Sequence, residues 1–335
     1  MSRDSKVMTA AQAVSAFVKD GDCLTFGGFV TNRRAYALVR EIIRQGRKNL
    51  YVESGGGGGD IDLLVGAGRV GVFINSYMAN SGYSMVCRRY REAVEKGTLL
   101  YDDYSLDVQT IVFHGAALGL PYMPVKNMLA SDLINKWGIS EERRRAHPKL
   151  PDKKFVIQEN PFQPGEILCL APTPSIDVAL IHVQTASPDG TCRIEGPQFQ
   201  DVDIAVAARR TIVSCEELIS DEEMRASPDR NTLPGLCVDA VTRLPFGAHP
   251  AQCFNHYDYD PALLWEYEEA SRDQAGFDGF LTKYVLSRAD HEQYLAFVGQ
   301  ERLEALRIKD RAVGYVAGLR RGRPQAVAAE EKRPS

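Results

Sequence analysis

The residue of this chain best placed to act as a base or nucleophile is Glu53, a carboxylate that ends an apolar run and precedes Ser54 and five consecutive glycines, Gly55 to Gly59. A glutamate in that position loses water, which destabilises its anion and strengthens it as a base or nucleophile, while the glycine loop leaves room for a bulky acyl group. A hydrogen-bonded strand terminus beside a flexible loop fits the same residues, since structural carboxylates are perturbed in the same way. A second group is GGFVTNRR at 27–34. Gly27 and Gly28, at the carboxyl end of a strand, let backbone N–H groups approach a carbonyl or phosphate oxygen. Arg33 and Arg34 supply cations for a carboxylate or phosphate, and a tight turn with two solvated arginines is the alternative. The third group is NSYMANSGYSMVCRRYRE at 75–92. Here Asn80, Ser81 and Gly82 offer hydrogen bonds to an acyl carboxylate, backed by Arg88, Arg89 and Arg91. Its structural counterpart is a helix cap with a solvated basic face. Asp102, Asp103 and Asp107, around Tyr104 and Ser105, are acids for proton transfer or for capping a helix, and the triplet Arg143, Arg144, Arg145 is expected to be solvated.

Other chemistries drop out. Gly66, Gly68 and Gly71 spell GxGxxG, but a helical start precedes them and the strand-like run Val72 to Ile74 follows, the reverse of a dinucleotide site. There is no GxxxxGK[ST] phosphate loop. The six histidines never pair at i, i+4, and the seven cysteines form no close pairs, so no metal site is expected and the thiols read as buried in a reducing compartment. Forty Lys plus Arg against 44 Asp plus Glu leave a formal charge of −4, with no overall positive field for nucleic acid or anionic lipid. No apolar run reaches the roughly 18 residues of a membrane span, and Met1 to Met8 lacks an apolar signal core. The expectation is a cytoplasmic chain without nucleic-acid or membrane partners.

The elements that must position these residues follow from the apolar spacing. Thr9 with Gln12 resembles a capping box that opens a helix running to Lys19. Cys23 to Phe26 reads as strand and Tyr36 to Gln45 as helix; Asn49 to Glu53 repeats the strand, Asp60 to Val65 the helix, and Val70 to Ser76 is a third strand. Strand-like runs recur at 111–113, 167–171, 177–183, 211–215 and 237–241, with a helical segment at 203–210. Such alternation predicts an α/β fold: an open, mostly parallel sheet covered by helices, here with a helical C-terminal extension. The charged, proline-rich stretch 141–165 suits an excursion or linker. It divides the 335 residues into an N-terminal α/β half (1–145, with the GGF and ANSG loops) and a C-terminal α/β half (146–318), followed by a disordered tail (319–335).

In this order the segments resemble the A (alpha) subunit of the family I coenzyme A transferases, and within it the glutaconate branch. The resemblance spans roughly residues 5–315. It includes GGFVTNRR, ANSG at 79–82, HGAALGLPYMPV at 114–125, KWGIS at 136–140, ENPFQPGE at 159–166, ASPDGTCRI at 186–194, FQDVDIA at 199–205, ISDEEMR at 219–225, VDAV at 238–241 and GAHP at 247–250. It implies a hetero-oligomer with a beta subunit, an active site in the cleft between the two, coenzyme A as a substrate, and no permanently bound cofactor. It also implies ping-pong transfer. A glutamate attacks the acyl-CoA thioester, an acyl anhydride forms, and CoA thiolate then yields a glutamyl-CoA thioester that passes CoA to the second acid. Backbone amides stabilise the oxyanion. Carried over by position, Gly27, Gly28, Phe29 and Arg33 wall the cleft, and Ser81, beside Asn80, binds the acid. Two departures stand out. The general signature continues GGF with glycine and proline, whereas residues 31–35 read TNRRA, as in the glutaconate branch. VESG at 52–55 resembles the nucleophile segment of the beta subunit, whereas the rest of the chain resembles alpha. Glu53 is therefore a catalytic candidate in a pseudo-equivalent place, while the nucleophile of split members lies on the partner. Hydrolytic ring opening or decarboxylation of a CoA thioester, and a non-catalytic sensor or sugar-phosphate binder, are the competing readings.

Overall fold

The computed structural model describes residues 5–322. Among the described residues there are eleven strands and twelve α-helices, which alternate up to residue 159. They begin α1 (Ala10–Phe17), β1 (Cys23–Phe26), α2 (Tyr36–Arg44), β2 (Leu50–Ser54), α3 (Gly59–Gly66), β3 (Val70–Asn75), α4 (Arg88–Glu95), β4 (Leu100–Asp103) and α5 (Leu106–Ala117). The middle of the chain holds β5 (Tyr122–Val125), α6 (Glu141–Arg145), β6 (Val156–Glu159), β7 (Ile167–Pro172), β8 (Val178–Ala186) and β9 (Cys192–Arg193). Then come α7 (Asp201–Ala207), β10 (Arg210–Leu218), α8 (Asp221–Ala226), β11 (Ala240–Arg243) and the C-terminal helices α9 (Pro261–Ala270), α10 (Gln274–Leu281), α11 (His291–Val298) and α12 (Gln300–Ala305).

The main sheet has the order β11-β10-β8-β1-β2-β3-β4, every pair parallel, with β9 antiparallel on β8. It is buried on both sides, as parallel sheets are. Leu24, Phe26, Val52 and Leu180 face one core, with α1 to α4 and the C-terminal helices; Cys23, Ala179, Ile181 and Val183 face the other, with α7. Sequence order runs away from β1 in both directions, so the strand order reverses between β1 and β8. Ligands of open α/β sheets bind outside the carboxyl ends of the strands at such a switch point. The capping box expected from Thr9 and Gln12 forms. No described helix is long and apolar enough to cross a membrane.

Several expectations are corrected. Residues 111–113 lie inside α5. Their β-branched run suggests a strand, but Val108, Gln109, Val112 and Phe113 bury together, a helical period, because α5 packs against α7 and the small sheet. Helix α7 ends at Ala207, and Arg210 already opens β10. Strand β7 is real but belongs to a separate antiparallel sheet, β5-β7-β6. Within the proline-rich stretch, Arg143 and Arg145 are exposed, whereas Arg144 is fully buried against Asp102. All seven cysteines are free, and all but the half-buried Cys237 are buried. Of the tail expected to be disordered, Leu319 packs on a small apolar cluster and Arg321 pairs with Asp258; from residue 323 on it lies outside the described residues.

Candidate active site

The loops after β1, β2, β3 and β4 meet in a small cleft of about 80 Å³ lined by Gly28, Phe29, Val30, Arg34, Gly55 to Gly57, Tyr77, Leu106 and Phe199. Its first wall is the GGF turn. The Gly27 N–H continues the ladder to Leu180 O (2.9 Å), the Gly28 N–H donates to Asp201 Oδ1 (2.9 Å), and the Phe29 N–H donates to Asn32 O (2.9 Å). Gly28 takes φ +93°, and a Cβ there would lie 2.6 Å from Asn32 O; a Cβ on Gly27 would lie 2.6 Å from Asp201 Oδ1. Both positions therefore require glycine. The Phe29 ring is left exposed, edge-on to Phe199 at 6.2 Å.

Arg33 holds this wall from behind. It is fully buried, and its guanidinium donates to Asp201 Oδ1 (3.1 Å) and Oδ2 (3.0 Å), to His182 O (3.1 Å) and to Pro197 O (2.8 Å). Burial alone would raise the Asp201 carboxyl, but the Arg33 charge and the hydrogen bonds from Arg33, Gly28 and Phe199 hold it below the ordinary carboxylate range. Arg34 is likewise buried, with Nε on Asp60 Oδ2 (2.9 Å) and one terminal nitrogen on Gly56 O (3.3 Å). Neither arginine is a solvated cation: Arg33 lies behind the wall, whereas Arg34, though buried, is among the residues that line the cleft.

Asn80 and Ser81 sit one turn beyond β3. Asn80 is buried and closes a tight turn with Ser84, its N–H on Ser84 O (3.1 Å). Ser81 is half-buried, and its Oγ lies 2.7 Å from the hydroxyl of Tyr77, an exposed cleft residue. Tyr77, Leu106, Phe199 and Asp201 are site residues that sequence reasoning misses. For Asp201 a signal exists, since FQDVDIA is one of the motifs of the resemblance, but nothing local gives its acid a role.

Glu53 is not brought to this cleft. It opens into a different cavity, of about 320 Å³, with Tyr104, Lys149, Thr173, Ser175 and Arg209 in its walls. Its carboxyl is pushed up to about 7, first by burial, with the Arg144 charge acting downward and Asp102 upward. Beside it, Asp102 binds both Arg144 and Lys154 (2.8 Å to the latter), three charged groups with no exposed side-chain surface. Of Asp103 and Asp107, the first lies 3.6 Å from Lys154 and the second sits in the first turn of α5 with Asn127 as partner.

His182, Glu216 and Cys253 are the one group of potential metal ligands that converges among the described residues. Glu216 is already filled by Tyr257 Oη (2.8 Å), the Phe246 N–H (2.8 Å), the Gly247 N–H (3.2 Å) and His182 Nε2 (2.7 Å). The trio ties β8, β10 and the 246–257 segment together beneath the Arg33 site.

Glycine loops at the carboxyl ends of adjacent parallel strands thus surround a small cleft at the switch point of the sheet. The chain belongs to the coenzyme A transferase family, whose model matches residues 7–244. More particularly, it is 51% identical over 304 residues to the A-type subunit of glutaconate CoA-transferase from Acidaminococcus fermentans, covering 91% of this chain and 95% of that one. The crystal structure of the glutaconate coenzyme A-transferase from that organism superimposes with a TM-score of 0.91 at 50% identity, covering 93% of this chain and 98% of that chain. A variant of the decarboxylase AibA/AibB matches with a TM-score of 0.67 at 28% identity, covering 83% of this chain and 99% of that chain.

Proposed function

We propose that this chain is the alpha subunit of a coenzyme A transferase that moves CoA between an acyl-CoA and a short dicarboxylic acid such as glutaconate, the reacting carboxylate coming from a beta subunit. The observation that carries this reading is the make-up of the cleft: glycine backbone, two phenylalanines, a tyrosine, a leucine, a valine and the Arg34 cation surround it, with no acid, thiol or imidazole among its lining residues. Such a cleft can hold an acyl group but has nothing to attack one with. Glu53 faces another cavity, which favours a partner carboxylate. The choice of acid rests on the relative of 51% identity.

In this scheme the partner carboxylate adds to the thioester carbonyl and CoA thiolate leaves, giving an acyl anhydride. Thiolate then attacks the glutamyl carbonyl and expels the first acid; the second acid reverses both steps. CoA enters and leaves as a substrate. On this chain Gly27, Gly28 and Phe29 shape the wall, Arg33 with Asp201 holds it, and Ser81, with Tyr77, bounds the acid's end while Asn80 fixes the turn.

The test is trapping. The chain, alone and assembled with its partner, is incubated with acyl-CoA, treated with borohydride and mapped by mass spectrometry. The expected result is no transfer by the chain alone and a modified glutamate on the partner in the assembly. Modification of Glu53, or transfer by the isolated chain, overturns it. CO₂ release without any glutamyl adduct favours the decarboxylase reading instead.

A further inference from the structure

We propose that the Gly56 N–H is a hydrogen-bond donor to an anionic oxygen of the substrate, and that Ser76, Ser54 and Arg34 are the residues that aim it into the cleft. The inference rests on the cleft beside Phe29 being the substrate site. It begins with an accounting of donors. Buried or cleft-lining N–H groups are almost always paired, and the three amides of the GGF turn are spent on Leu180, Asp201 and Asn32. They have no proton left for a ligand.

The glycine loop differs. Gly55 O accepts from Ser76 Oγ, and Gly56 O accepts from Ser54 Oγ (2.9 Å) and from Arg34 (3.3 Å). Next along the chain, the Gly57 N–H is bound to Tyr77 O (2.7 Å). The carbonyl of Gly55 and the N–H of Gly56 belong to one trans peptide and point in opposite directions. Drawing that carbonyl toward Ser76 therefore turns the Gly56 N–H away from Ser76, and it finds no acceptor among the described residues.

Space gives a second, independent indication. A Cβ on Gly55 would lie 2.7 Å from Gln200 Oε1 and one on Gly58 3.2 Å from Asp60 Oδ1, whereas one on Gly56 meets nothing nearer than Tyr77 Cδ1 at 3.9 Å. The peptide with the spare proton is thus the one with open volume beside it. A carboxylate of the free acid and the oxyanion of the attacked thioester share the chemistry this donor recognises.

Steady-state kinetics of the assembled enzyme test this with two pairs of variants and one control. Losing an oxyanion donor typically costs about 10²- to 10³-fold in kcat. Gly56→Pro, which removes the proton, is expected to fall at least about tenfold in kcat/KM below Gly56→Ala, which keeps it. Ser76→Ala, which frees the Gly55 carbonyl, is expected to lower kcat/KM, and Ser76→Thr to restore it because the hydroxyl returns. A rise in KM for the acid at constant kcat assigns the donor to the carboxylate, and a fall in kcat assigns it to the oxyanion. If Gly56→Pro does not assemble, the two Ser76 variants decide alone. The inference is overturned if Gly56→Pro equals Gly56→Ala, or if Ser76→Ala turns over like the native enzyme. Phe29→Ala separates the two levels: impaired kinetics there with inert Gly56 and Ser76 variants reject only the donor, while an inert Phe29→Ala rejects the cleft as the substrate site.

Discussion

Replacing Asp201 by Asn would keep the shape of the side chain that anchors the GGF turn and remove its charge. Arg33 would then stand fully buried with two carbonyls and no counter-ion. Breaking a buried ion pair on one side costs about 3–5 kcal/mol, because the remaining charge is left desolvated. Unfolding entropy of about 2.1 cal/mol/K per residue makes the slope for a chain of this length about 0.7 kcal/mol per degree, so Tm is expected to fall by about 4–7 °C. Differential scanning calorimetry of the native chain, Asp201→Asn, and Asp201→Asn with Arg33→Met provides the assay, the double variant recovering most of the loss because both charges are gone. The pH dependence has a definite sign. Asp201 holds its carboxyl below the ordinary value in the fold, so its contribution is complete above the unfolded carboxylate pKa of about 4 and is lost as pH falls through the folded value. The gap between native and Asp201→Asn melting curves should therefore close in acid. A shift below about 1 °C at neutral pH, or a double variant no more stable than the single, would refute the claim that this pair holds the wall of the cleft.

Glu53→Gln should leave transfer and adduct formation in the assembled enzyme intact, as the proposed division of labour requires. Its folded value of about 7 lies above the usual glutamate range. The native chain should thus lose stability relative to Glu53→Gln as pH rises from about 4.3 toward 7; parallel Tm curves for the two proteins would contradict this. Asp102→Ala leaves Arg144 and Lys154 buried with no shared carboxylate, and a loss of about 3–5 kcal/mol is expected in urea melts. The same variant should lower the Glu53 carboxyl, since Asp102 acts to raise it, a change readable by carbon NMR of the labelled glutamate.

What the sequence carries best is local. Cys23 to Phe26 is a run of apolar or β-branched residues bounded by Asp22 and Gly27, and it becomes β1 at those limits; Thr9 and Gln12 need only three residues of context to make their box. The failures are all non-local. Residues 111–113 are β-branched and aromatic, and only the burial of Val108 and Gln109 one turn earlier shows that a helix wins. For Arg33 and Arg34 the neighbouring residues leave ligand cations and solvated ones equally open, because the acid that draws Arg33 inward comes from α7. Arg144 sits among arginines that are exposed on both sides of it and is taken inward by Asp102 on β4. The separation of Glu53 from the glycine cleft is equally hidden, since the two are neighbours in the chain and only the alternation of side chains along β2 sends them into different cavities.

The placement of β8 beside β1 also sets a timetable for biosynthesis. A ribosome adds about 5–20 residues per second, and Arg33 precedes Asp201 by 168 residues. For about 8–34 s at that pace, the nascent chain carries β1 with one bare edge and an arginine whose counter-ion has not yet been made. The wall of the cleft cannot be inherited from an independently folded N-terminal piece. Truncations ending before α7 should accordingly yield chaperone-bound or insoluble material, and split-protein designs should cut after residue 207 rather than in the proline-rich stretch.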